Sequence, residues 1–230
     1  MRLKFFFLAF FIYNLPLSAN AEVDIGLTLD QHLQMHGYTL TPEGSGSKDN
    51  YAIEGFSTHA QREQFIGLLQ EKSNHIKHVL EIGLNGGHSA EVFLENCPNL
   101  EKFVSIDINW HPYTAHAVKY LSEKYGKKFL FFAGDSIIKV PELKAEFPDQ
   151  TFDLIFIDGN HNYDYCLKDI LNGRALANAN TLLLVDDYDN PSVRQAVEKC
   201  KELHILQLGK IHHSQDPHGE RVWIEARYVY

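Results

Sequence analysis

The chain has 230 residues, 44% of them hydrophobic, with a mean hydropathy of −0.26 and a formal charge of −9. So acidic a balance excludes a general attraction for nucleic acid or anionic lipid, and the length suits one sizeable core rather than two domains. Cys97, Cys166 and Cys200 are odd in number, widely spaced and without a C-x-x-C. They specify neither a zinc site nor a disulfide framework, and packing is their expected role.

In chain order, the first 21 residues stand apart. Arg2 and Lys4 precede an apolar run from Phe5 to Tyr13, and Pro16 and Ala19-Asn20-Ala21 follow. That is the layout of a secretory signal peptide over residues 1–21, too short in its apolar run for an ordinary membrane span. The expectation is therefore an exported protein, whether periplasmic, secreted or lumenal. Residues 22–57 are polar and contain GSGSKDN, so a flexible lead-in is expected there. A helix begins around Ser57, with Thr58 and Glu63 flanking its first turn and Phe65, Ile66, Leu68 and Leu69 on its apolar face.

From there strands and helices alternate. Apolar runs predict strands at His78–Ile82, Phe103–Ile106, Phe129–Ala133, Phe152–Ile157 and Thr181–Val185. Helical patterns lie between and after them at Ser89–Glu95, Ala115–Lys124, near Pro141–Glu146, and at Tyr163–Ala177 and Ser192–Lys201. Such alternation implies parallel pairing through right-handed crossovers. The segments His204–Leu208 and Arg221–Tyr228 flank a turn-rich HHSQDPHG and predict a closing hairpin. In that turn, His212, His213 and His218 are expected to be solvated. The expected fold class is α/β: a doubly wound, mostly parallel Rossmann-like sheet with helices on both faces and a C-terminal antiparallel hairpin, over residues 58–230.

Ligands of such sheets sit beyond the carboxyl ends of the strands. The predicted strand ends here are Glu81-Ile-Gly83-Leu-Asn85-Gly86-Gly87, Asp107, Gly134-Asp135-Ser136, Asp158-Gly159-Asn160-His161 and Asp186-Asp187. The first turn lacks the G-x-G-x-x-G of dinucleotide enzymes, and there is no G-x-x-x-x-G-K-[ST] for a nucleoside triphosphate. A helix amino end with no Arg or Lys expected nearby suits a ligand with one carboxylate and positive charge elsewhere. Asp107 is placed to accept the hydroxyls of a ribose, and Asp135-Ser136 to offer an acceptor and a donor to a purine rim. Asp158, Asp186 and Asp187 would raise one another's pKa if they converged unneutralised. A divalent cation, Mg²⁺ or Ca²⁺, would resolve that.

The run E-I-G-x-x-x-G, the acid of VSIDI, the GDS turn, FDLIFIDGNHNYD and LLLVDDY resemble, in order, the motifs of class I S-adenosylmethionine-dependent methyltransferases. The likeness spans roughly Thr58 to Cys200 and is nearest to the group with I-D-G-x-H-x-Y and D-D-Y. It implies a cofactor site of Glu81, Gly83, Asn85, Gly87, Asp107, Asp135 and Ser136, with S-adenosyl-L-methionine as cofactor. It also implies a metal at Asp158, Asp186 and Asp187, as in metal-dependent sugar and catechol O-methyltransferases. The implied activity is O-methylation of a small hydroxylated acceptor. One departure is Asn160, where sugar-modifying relatives have an acidic residue; an amide cannot take a proton, and His161 beside Asp158 is the nearest replacement as catalytic base. The alternative expectation is an exported, catalytically silent binding module on the same scaffold. The expected partner is the small acceptor. Neither nucleic acid nor, once the leader is removed, a membrane is expected, and a homodimer stays open as the assembly.

Overall fold

The computed structural model describes residues 26–40, 51–216 and 219–230. The leader, GSGSKDN and His218 lie outside these residues. A small parallel pair, β1 (Tyr38–Thr39) and β2 (Tyr51–Ala52), precedes a seven-stranded sheet. The sheet is formed by β3 (His78–Ile82), β4 (Lys102–Asp107), β5 (Phe129–Ala133), β6 (Phe152–Ile157), β7 (Ala177–Val185), β8 (Leu206–Asp216) and β9 (Gly219–Tyr228). Its order is β5-β4-β3-β6-β7-β9-β8, parallel from β5 through β7, with β9 antiparallel to both β7 and β8. The helices are α1 (Leu29–Met35), α2 (His59–Lys72), α3 (His88–Asn96), α4 (Pro112–Tyr125), α5 (Ser136–Glu146), α6 (Tyr163–Ala175) and α7 (Pro191–Glu202). This is the doubly wound α/β class expected. Among the described residues no helix is long and apolar enough to cross a membrane.

Strand alternation divides the core into two layers. Val79, Phe103, Leu154, Phe156, Leu182 and Leu184 face the layer shared with Phe65, Phe93 and Trp223. Their neighbours Leu80, Ile82, Val104, Ile155, Ile157, Leu183 and Val185 face the layer shared with Val140, Ile170 and Val197. Phe65 of α2 lies at the centre of the first layer, its ring centroid 5.0 Å from Trp223, 5.4 Å from Phe156 and 5.6 Å from Phe93. Burying such aromatic faces supplies much of the driving force that holds helix to sheet. Cys97, Cys166 and Cys200 are free and buried, as packing residues should be.

Three departures from the sequence reading have local causes. The segment expected to be a lead-in contains α1, whose Thr28 accepts a hydrogen bond from the Gln31 N–H while the Gln31 side chain accepts from the Thr28 N–H. That capping box, with Leu29 and Leu33 one turn apart and fully buried, secures a short helix that the surrounding polar composition concealed. The helix expected near Pro141 begins at Ser136, because Asp135 caps it and its Oδ1 accepts from the Ile137 N–H. Lastly, most of the stretch read as a turn is strand. β8 runs to Asp216, and His212 is stacked on Trp223 at 3.7 Å and bonded to Glu225 at 2.7 Å, so it is not a solvated loop residue. An edge strand tolerates polar residues on its open side, and this hid the strand.

Candidate active site

Register sets the site. Ile82 lies opposite Ile106 on one side and Ile157 on the other, and Ile157 lies opposite Val185. The residues after those positions therefore lie side by side. Ladder bonds continue past the strands: the N–H groups of Gly83, Gly134, Asp158 and Asp186 reach the carbonyls of Ile106, Asp107, Ile82 and Ile157 at 2.8–3.0 Å. A cleft of about 640 Å³ opens along this edge, lined among others by Gly83, Asn85, Asp107, Asp135, Ser136, Asp158, His161, Asp186 and Asp187.

The first turn is built for close approach. Gly83 has φ +96°, and a Cβ there would meet the Asp158 carbonyl oxygen at 2.0 Å, so no side chain fits between the two strand ends. Asn85 also takes a positive φ, 52°, and its Nδ2 donates to the Glu54 carbonyl, while its buried Oδ1 has no hydrogen-bond partner. Asp107 closes the turn from β4: Oδ2 accepts from the Leu84 and Asn85 N–H groups at 2.9 Å, and Oδ1 from the Asn109 N–H at 2.6 Å. Much of its accepting capacity thus orders the glycine turn, with the remainder facing the cleft. Asp135 caps α5 and its Oδ2 accepts from the Tyr165 hydroxyl at 3.3 Å.

Two residues read as cofactor contacts sit elsewhere. Glu81 is fully buried beneath the turn and does not line the cleft, and its carboxylate accepts from the Ser89 and Ser105 hydroxyls at 2.6 Å. Alternation along β3 turns it into the layer under α3, so it supports the turn. Gly87 at φ +82° is the amino cap of α3. Its missing side chain leaves room for Leu121 and Ala117 of α4 rather than for a ligand.

The acids at the other end also sort differently from the expectation. Both carboxylate oxygens of Asp186 accept from Gln61 Nε2, at 2.8 and 2.7 Å, and this holds the group toward α2. Its place beside Asp158 and Asp187 is taken by His161: ligand-capable atoms of Asp158, His161 and Asp187 lie within 4.8 Å of one another. Nε2 of His161 is 2.8 Å from Asp187 Oδ2. That bond, with the Asp187 charge, raises the His161 pKa. Burial works against the Asp187 charge, but His161 holds its carboxyl below the usual carboxylate range. Burial, then the fields of Asp186 and Asp187, push Asp158 well above that range; burial and Asp187 push Asp186 up to about 7. Arg221 opposes the rise in both. Asp158 and Asp187 thus lie together with His161, while Asp186, still close enough for its charge to act on Asp158, has its carboxylate oxygens on Gln61 and the Asp187 N–H.

Several lining residues escaped the sequence reading. Arg221 corrects the expectation that no Arg or Lys lies near; β9 pairs with β7 and so carries this residue to the rim. Ile108 and Trp110, 56% and 79% exposed, form an apolar lip just after β4. Their signal was two large apolar residues in a loop immediately after the strand-ending acid. Glu54, Gln61 and Tyr165 also line the cleft, brought there by contacts distant in sequence.

Burial pushes the Glu81 pKa up to about 7 from 4.5, against the hydrogen bonds from Ser105 and Ser89 that favour its charge. The folded state therefore keeps its proton to higher pH than the unfolded chain. The stability this gives is complete below pH 4.5 and is lost as pH rises to 7. Across that window wild type is expected to fall behind Glu81→Gln by up to about 3 kcal/mol. Urea unfolding of both proteins at several pH values checks this, and a difference independent of pH would contradict it.

Comparison with known proteins adds to this geometry. A family model described as a methyltransferase domain matches residues 80–188, from within β3 to just past β7. No protein of curated function matches the chain by sequence. Among solved structures, the chain is similar to the O-methyltransferase TomG from Streptomyces achromogenes, involved in tomaymycin synthesis and solved with SAM. That likeness has 17% identity and a TM-score of 0.65 over 91% of this chain and 92% of that one. It is also similar to an O-methyltransferase from Bacillus cereus in complex with SAH, at 16% identity and a TM-score of 0.62 over 76% and 84% of the two chains. A third similar structure is apo CalS11, a TDP-rhamnose 3′-O-methyltransferase of calicheamicin biosynthesis, at 17% identity and a TM-score of 0.56 over 73% and 81%. At such identities the structures establish a common fold. The family match adds a methyltransferase domain over residues 80–188 of that fold.

Proposed function

We propose that the protein transfers the methyl group of S-adenosylmethionine to an oxygen of a small hydroxylated acceptor. The observation that carries this reading is the row of strand ends along the cleft, with a bare glycine turn at one end and a His161–Asp187 pair at the other. The turn fits the amino-acid end of the cofactor: Gly83 has no room for a side chain, and Asn85 Oδ1 is a buried acceptor without a partner. Asp107 would hold the ribose, while Asp135, Ser136, Ile108 and Trp110 would border the adenine. When bound, S-adenosylmethionine supplies an electrophilic methyl on a sulfonium centre.

The acceptor end belongs to this chain's own groups. Asp187 fixes the imidazole of His161 through Nε2 and stabilises its protonated form, which leaves Nδ1 for the proton of the acceptor hydroxyl. This arrangement supplies the base that Asn160 cannot. Asp158, His161 and Asp187 also form a donor set for a divalent cation, with two carboxylates and one imidazole. Such an ion would supply Lewis acidity toward the same hydroxyl. Carboxylates alone would favour Mg²⁺ or Ca²⁺, and the imidazole widens the choice to borderline metals. The likeness to O-methyltransferases, one of them acting on TDP-rhamnose, supports oxygen as the acceptor atom.

Export is part of the proposal and rests on the N-terminal charge and apolar pattern. An intact-mass spectrum of protein recovered from its native compartment is expected to show a chain beginning at Glu22, and a retained Met1 would refute this.

Calorimetry with S-adenosylhomocysteine is expected to give a dissociation constant in the micromolar range, weakened at least tenfold in Asp107→Asn. With sugar- and catechol-type acceptors, His161→Gln is expected to keep cofactor binding while turnover falls by about 10²–10⁴-fold. Absence of heat with either S-adenosylmethionine or its demethylated product would overturn the reading. Binding without turnover in any acceptor class would favour the silent module, for which the long-range contact of Asp186 with Gln61 rather than with Asp158 is the supporting observation.

A further inference from the structure

The histidines at the junction of α1 and α4 are outside the cleft and take no part in the chemistry above. His32 lies within α1, His36 is the residue that caps its carboxyl end, and His116 lies in α4. Spacing of four along a helical turn puts His32 and His36 on one face, and that face meets α4. The ring centroids of His36 and His116 are 4.1 Å apart, those of His32 and His36 4.8 Å, and those of His32 and His116 6.4 Å. One ring nitrogen from each lies within 4.8 Å of the others.

Stacking alone does not account for this cluster. His32 is 3% exposed, and its Nε2 is buried without a hydrogen-bond partner, in a helix otherwise well satisfied by its capping box. A buried imidazole nitrogen left unpaired is costly, and the nearest groups able to share an ion with it are two further imidazoles. Burial above all holds all three histidines below the usual imidazole pKa, His116 at about 4, so each offers a lone pair at neutral pH. The surrounding charges are mixed. Lys119 opposes positive charge at all three rings, and Glu123 favours it at His32.

We propose that His32, His36 and His116 form a site for a divalent transition metal of the borderline class typified by zinc, which fastens α1 onto α4. Imidazole is the preferred donor of such metals. Nitrogens around tetrahedral zinc lie about 2.0–2.1 Å from the ion and so about 3.4 Å from one another. The three nitrogens, within 4.8 Å of one another, would reach that spacing by ring rotation on loading. Burial falls from His32 through the partly covered His116 to the exposed His36, which gives the ion an entry path and leaves a fourth position open to water. Loading the site would tie the amino-terminal helix to the helix whose first turn follows the cleft residues Trp110 and His111.

The test is zinc titration of the untagged protein by calorimetry, with Zn²⁺ alone as the probe. The Asp158–His161–Asp187 group is a second set of donors, so the variants are chosen to separate the two. Wild type and Asp187→Asn are expected to bind zinc at the histidine site with equal affinity. His36→Gln and His116→Gln are expected to weaken that binding at least tenfold and to abolish a zinc-induced rise in melting temperature. His36 is exposed, so its replacement leaves the zinc-free melting temperature unchanged and keeps the test sound should His116→Gln fail to fold. Zinc binding that persists undiminished in the double variant Asp187→Asn/His36→Gln, that disappears in Asp187→Asn alone, or that is absent from wild type overturns the proposal.

Discussion

The cleft of this protein depends on the in-register ending of five parallel strands. Because Ile82 pairs with both Ile106 and Ile157, and Ile157 pairs with Val185, the next residue of each strand emerges on the same edge. A slip of one residue would turn each strand's apolar set to the other layer. Phe65, Phe93 and Trp223 on one side and Ile170 and Val197 on the other penalise that slip heavily. The packing that stabilises the sheet therefore also fixes where Gly83, Asp107, Asp158 and Asp186 stand.

The rim so formed concentrates negative charge, and the protein manages it in three ways. Asp107 spends its lone pairs on backbone N–H groups that order the glycine turn. Asp186 is held by Gln61, and Asp187 by His161. Burial, then the charges of Asp186 and Asp187, press Asp158 toward its neutral form, with Arg221 the opposing cation. Unequal neutralisation of neighbouring acids is what separates roles in a reactive site. On the proposed function, the end near Gly83 would take the ligand's polar head and the end near Asp187 the chemistry on a hydroxyl.

The sheet was legible in the sequence because buried parallel strands are written as apolar runs, such as LIFI and LLLV, closed by a polar residue. Three of the five were bounded to the residue, and β7 alone starts well ahead of the run that marks it. What the sequence could not disclose were partners chosen by the tertiary structure. Gln61 reaches Asp186 across 125 positions, and Arg221 comes to the rim only through the pairing of β9 with β7. Glu81 lies in a recognisable motif, yet strand alternation places it under the turn and not at the ligand. Likewise α1 is too short for periodicity to show, and its capping box and the Leu29–Leu33 pair are its signals.

The central claim, that a single edge of the sheet grips the cofactor, is tested most directly by hydrogen–deuterium exchange with and without S-adenosylhomocysteine. Protection is expected to gather in the peptides that end β3, β4, β5 and β6, around Gly83–Asn85, Asp107–His111, Gly134–Ser136 and Asp158–His161. Protection confined to one of these turns, or appearing on the far edge of the sheet while they stay unchanged, would contradict it.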